Sequence, residues 1–152
     1  MGYKDKMGEG LDVKGSFTFT QVSSAVKNVC DAMGEKAVKV NAQDEESGII
    51  ELYLFDTGFR KVAGKSLFGT IASAISKDPD LIADLVFETA NDTKSSLSIN
   101  VSSAATTSSS VMFIPAGTTV HGITTYRDFL THLTSELKRI DQNAEIIRRG
   151  KE

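Results

Sequence analysis

The sequence predicts an α+β domain, built on an antiparallel sheet of about five strands with the N- and C-terminal helices on one face and a helical insert over residues 66–90. Three observations carry this expectation. Val38, Val40 and Ala42 alternate with Lys39 and Asn41, the chain turns through Asp44, Glu45, Glu46, Ser47 and Gly48, and an apolar run over 49–55 returns, which is the pattern of a β-hairpin. Apolar residues recur at three- and four-residue spacing over 22–33 and again over 126–140, the period of a helix with one buried stripe. Leu97, Ile99 and Val101 alternate with Ser96, Ser98, Asn100 and Ser102, the period of a strand with one wet face.

Along the chain, residues 1–12 carry charge and glycine with little to bury, so a flexible arm is expected ahead of a single domain over 13–146. Phe17 and Phe19 alternate with Ser16, Thr18 and Thr20 and read as a short strand, with Thr20 capping the helix that follows and Gly34 ending it. In the returning arm of the hairpin, Ile50, Leu52 and Leu54 face one way while Ile49, Tyr53 and Phe55 face the other, so this strand needs cover on both sides.

The expected cover is the insert. Leu67, Phe68, Ile71, Ala72 and Ile75 fit one helical face, and Asp78, Pro79 and Asp80 supply a cap, a first-turn proline and a first-turn acid for a second helix. Leu81, Ile82, Leu85 and Val86 continue that second helix at helical spacing, although "DLVFETA" by itself has the composition of a strand. The polar stretch 103–110 is expected to be a loop before a short strand "VMFIP", with Pro115 at its end. The last helix is expected to open at Thr125, with Asp128 three residues on, and to carry Tyr126, Phe129, Leu130, Leu133, Leu137 and Ile140 in line. Residues beyond 140 prolong or fray it, with a frayed tail over 147–152.

Composition narrows the function classes. The chain has 152 residues, the length of one domain, and its 17 Lys and Arg against 20 Asp and Glu leave a net charge of −3, too small to steer it to a partner. Its compact basic group, Arg148, Arg149 and Lys151, falls in the expected tail, so no nucleic-acid partner is expected. The single cysteine, Cys30, excludes an internal disulfide, and it falls on an apolar helix face as a small core residue. "MGYKDKMGEG" lacks the apolar stretch of a secretory signal, and no run is long enough to span a bilayer, so a cytoplasmic chain without membrane insertion is expected.

One stretch approaches a known chemical device. "DTGFRKVAGKSLFG" ends on Gly64, Lys65 and Ser66, as a phosphate-binding loop does, because such a loop turns backbone N–H groups onto phosphates while its lysine reaches the outer ones. That loop needs a glycine five residues before Gly64, where Phe59 stands, and Gly58 is one residue too early. The spacing makes it a polar connection, with weak anion binding by Gly64, Lys65 and Ser66 as its residual chemistry.

Asp128, His132 and Glu136 stand four apart on the last helix, on the side away from its apolar stripe, and make a line rather than a converging metal site. His121 lies in a turn without a placed carboxylate, and no Gly-x-Ser-x-Gly elbow occurs, so no catalytic residue, metal or cofactor is assigned. The expected function is a non-catalytic binding module for a protein partner, a second copy or an apolar ligand, with Ile49, Tyr53, Phe55, Leu67, Phe68 and Ile71 as its surface. The alternative is a phosphate- or nucleotide-binding protein using the degenerate loop from Gly58 to Ser66.

Overall fold

The structure is a computed structural model that describes residues 9–34, 36–55, 79–91, 94–104, 106–111, 114–120 and 122–150. It is an α+β fold. Strands β1 (Gly10–Gly15), β2 (Val38–Asp44), β3 (Ile49–Leu54), β4 (Leu81–Asn91), β5 (Lys94–Ala104) and β8 (Glu145–Arg149) form one open six-stranded sheet in the order β2-β3-β4-β5-β1-β8. Every neighbouring pair is antiparallel. A separate antiparallel hairpin pairs β6 (Thr106–Val111) with β7 (Ile114–Val120).

Helices α1 (Phe19–Met33) and α2 (Ile123–Ile140) share one core with the sheet. Each long strand gives that core alternate residues: Leu11 and Val13, Ile50, Leu52 and Leu54, then Leu81, Ala83, Leu85 and Phe87, then Leu97 and Ile99, all buried. They meet Val22, Val26 and Val29 of α1 and Tyr126, Phe129, Leu130 and Leu133 of α2. Strand geometry turns successive side chains to opposite faces, so the intervening residues lie on the face away from the helices.

The N-terminal elements depart from the sequence reading. Gly10, Leu11 and Asp12, expected in a flexible arm, belong to β1, and Leu11 is fully buried between β5 and β8. The strand expected over 16–20 is instead a loop and a helix start. Thr18, not Thr20, is the cap: its hydroxyl accepts from the Gln21 N–H at 3.1 Å while the Gln21 side chain accepts from the Thr18 N–H at 3.0 Å. Phe17 and Phe19 are buried here through the turn into α1, not through a pleat. A buried hydroxyl fixes this loop, since Ser95 Oγ accepts from the Phe17 N–H at 3.0 Å and donates to Gly15 O at 3.1 Å.

The hairpin of β2 and β3 is as expected, and its turn requires a glycine. Gly48 has φ 72°, and a Cβ there would lie 2.1 Å from the Phe87 carbonyl oxygen, because Gly48 O accepts the Phe87 N–H at 2.7 Å.

The second helix expected in the insert is overturned. Residues 81–91 are the strand β4, the centre of the sheet, hydrogen-bonded to β3 on one side and β5 on the other. Leu81, Ile82, Leu85 and Val86 fit a helix stripe, yet Leu81, Ala83, Leu85 and Phe87 also fit a strand, and two flanking strands supply ladder bonds for the second pattern. Pro79 and Asp80 precede the strand, with the Asp80 N–H donating to Leu54 O at 2.9 Å. The 66–78 part of the insert lies outside the described residues.

Further along, the expected loop over 103–110 falls on the end of β5 and most of β6, with residue 105 outside the described residues. Helix α2 opens at Ile123 behind Gly122, which has φ 83° and gives no side-chain cap. Thr125, the expected cap, is a buried residue of the first turn whose hydroxyl donates to Phe55 O at 2.8 Å. The chain does not prolong α2 beyond Asp141: it turns and forms β8, so residues 147–149 of the expected tail pair with Gly10, Leu11 and Asp12. Arg148 ties this strand back to α2, donating to Thr131 Oγ1 at 2.8 Å and to Arg127 O at 3.0 Å.

Candidate functional site: the open face of the sheet

Neither described helix lies on the second face of the sheet, and the registers show which side chains share it. Ile49, Val86, Ser98, Asp12 and Ile147 stand in one row across five strands. Glu51, Asp84, Asn100, Gly10 and Arg149 form the next row. Beyond it, Tyr53 lies between Lys39 and Ile82. The Lys39 ammonium sits 5.7 Å from the Tyr53 ring centroid, over its negative face.

Two ends of the first row are open. Ile49 is 40% and Ile147 63% exposed, against full burial of Ile50 and Ile99 on the other face. Between them β5 offers only Ser96, Ser98 and Asn100, whose short side chains leave a depression. A groove of about 440 Å³ follows, with Ser96 and Ser98 as its floor, Val86 and Glu88 on one flank and Lys14, Glu145 and Ile147 on the other. Docking grooves combine such an apolar rim with a few fixed polar groups.

The face is also acidic in balance: Asp12, Glu51, Asp84, Glu88 and Glu145 against Lys14, Lys39 and Arg149. Arg149 and Asp12 pair with each other at 2.8 Å. Glu51 accepts from Asn41 Nδ2 at 2.6 Å and lies directly across from Asp84. Burial, and then the Glu51 carboxylate beside it, push the Asp84 carboxyl above its usual range. A cation brought near this pair relieves the repulsion.

A second depression, about 960 Å³, lies at the end of the sheet between the loop before α1 and the turn of the first hairpin. Phe17, Phe19 and Phe87 line it, the last two in edge-to-face contact at 6.0 Å, and Glu45, Glu46 and Glu88 are among its polar residues. Among the described residues no group of three or more His, Cys, Asp and Glu side chains converges to hold a metal. Asp128 and His132 are exposed on α2, and Glu136 pairs with Arg139 at 2.9 Å. Cys30 is half-buried against the core, and burial followed by the Asp31 charge raises its thiol from 9.0 to about 11, so it stays protonated at neutral pH.

Comparison with family models, with curated proteins and with solved structures finds no match for this chain. No helix among the described residues is long and apolar enough to cross a membrane.

Of the surface residues read from the sequence, Ile49 and Tyr53 are on the open face. Phe55 is not. It has left β3, is only 9% exposed, donates its N–H to Ala37 O at 2.9 Å and accepts from Thr125, so it packs beneath the start of α2. Leu67, Phe68 and Ile71 lie outside the described residues, as do Gly64, Lys65, Ser66 and His121. Ile82, Val86 and Ile147 also stand on this face and are not legible there from the sequence, because helical spacing fits the first two and the third follows the last helix as a tail. The alternation of serine with Leu97 and Ile99 was the available signal for the groove.

Proposed function

We propose that the protein is a non-catalytic binding module that docks a protein partner on the open face of its sheet. The observation that carries the reading is the row from Ile49 through Val86 to Ile147, apolar at both ends and hollowed over Ser96 and Ser98. Exposed isoleucines beside a groove are costly to leave in water, at roughly 25 cal/mol per Å² of apolar surface, and a partner that covers them recovers that term. The carboxylates Glu51 and Asp84 favour a partner that brings a Lys or Arg beside its apolar residues.

A photo-crosslinking residue placed at Ser98, in the groove floor, tests this in cells expressing the full chain, with Asn28 on α1 as the control position. The expected result is one discrete protein adduct from Ser98, absent from Asn28 and lost when Val86→Asp is added. No adduct from Ser98, or the same adducts from both positions, overturns the reading.

A further inference from the structure

The two edges of the sheet are built differently. At the β2 edge the ladder is broken by a bulge between Val40 and Ala42, with Lys39 beside it, which is how natural sheets discourage further pairing. At the other edge β8 pairs with β1 residue for residue from Glu145 to Arg149, without a shift. Among the described residues no strand lies beyond β8, and the side chain at its middle, Ile147, is the most exposed of the large apolar ones.

We infer that β8 pairs with β8 of a second copy of this chain, antiparallel across a two-fold axis through Ile147. The strand reads Glu145, Ile146, Ile147, Arg148, Arg149, and its open-face positions, Glu145, Ile147 and Arg149, are complementary to their own reverse. Centring the pair on Ile147 sets Glu145 opposite the second copy's Arg149, twice, and sets Ile147 against Ile147. All three positions lie on the open face, so the two isoleucines cover one another while each guanidinium, already paired with Asp12 at 2.8 Å, gains a second carboxylate neighbour. Centring on Arg148 instead opposes two guanidinium groups, and a shift by one residue would place the copies' helices on opposite faces of the sheet. One register therefore satisfies charge, burial and face together. A two-fold contact uses the same patch on both copies, as this self-complementary strand does. The result is a continuous sheet of twice the width, in which the rows of the open face run from one copy into the other.

The edge shares Glu145 and Ile147 with one flank of the docking groove, and the test separates the two readings by reporting self-association rather than adducts at Ser98. Sedimentation equilibrium of the whole chain across micromolar to millimolar concentration is expected to show a monomer–dimer equilibrium. Glu145→Lys, a change at an exposed position, is expected to weaken dimerisation at least tenfold with unchanged circular dichroism. In a Cys30→Ser background, Ile147→Cys is expected to oxidise to a disulfide dimer at least ten times faster than Glu145→Cys, since only the former faces itself across the axis. A monomer at every concentration, an unaffected Glu145→Lys, or equal oxidation of the two cysteine variants overturns the inference. Each of these outcomes leaves the Ser98 crosslinking result standing as a separate measurement.

Discussion

Asp84 shows how one residue on a sheet face can be held against its own preference. Its carboxyl is pushed up by burial and then by Glu51 across the strand pair. A carboxyl whose folded-state value lies above its unfolded value binds protons more readily when folded, so its contribution to stability is complete below the unfolded value near about 4 and is lost as pH rises through the folded one. At neutral pH the ionised Asp84 therefore works against the fold. Asp84→Asn is expected to stabilise the protein at pH 7 by a few tenths of a kcal/mol, small because solvent screens a half-exposed group. The gain should vanish at about pH 3, where the Asp84 carboxyl is protonated in the folded and unfolded states alike, as urea denaturation at the two pH values will read. A loss of stability at pH 7 would mean that the charge has a favourable neighbour.

At the scale of elements, the start of α1 separates two readings of the same residues. Thr18→Ala removes a reciprocal cap and is expected to cost about 1 kcal/mol, whereas Thr20→Ala, inside the first turn and exposed, should stay within about 0.5 kcal/mol. Equal effects in chemical denaturation would restore Thr20 as the cap. The case illustrates what the sequence made legible. The hairpin and the strand through Leu97 and Ile99 were readable because period-two alternation there has no helical rival. Residues 81–91 were not, because Leu81, Leu85 and their neighbours satisfy both periods and only β3 and β5 decide between them.

The terminal strands were hidden for a different reason. "GLDVKG" brings only Leu11 and Val13 to the core, and "EIIRR" continues the charge pattern of the helix before it, so neither has a strand signal apart from its tertiary partners. The candidate surface inherits these errors. Ile49 and Tyr53 are legible with their strand, Ile82 and Val86 are hidden with β4 and Ile147 with β8, and Phe55 leaves the face because its turn toward Ala37 is set by a distant backbone.

Across the whole molecule, the entry to β1 is clasped to α2. Glu9, only 4% exposed, accepts from Arg127 Nε at 3.0 Å with each carboxylate oxygen, and its carbonyl accepts from the Tyr126 hydroxyl at 2.8 Å. Burial pushes the Tyr126 phenol well up, so that hydroxyl stays a donor across the working pH range. Arg127→Ala leaves a buried carboxylate without its cation and is expected to cost about 1–3 kcal/mol, with the faster amide exchange concentrated in β1 and β8. Exchange that rises evenly over the sheet would contradict a local clasp.

The placement of β1 also sets an order of events during synthesis. Strand β1 sits between two strands that emerge far later, one starting at Lys94 and the other at Glu145. While the ribosome extends the chain, the hairpin of β2 and β3 can close within its own stretch, but Leu11 and Val13 have no ladder to join. Such a fold is gated by its most distant pairing and completes only when β8 has left the exit tunnel. Nascent chains stalled ahead of residue 145 should therefore remain open to a chaperone that binds exposed apolar segments.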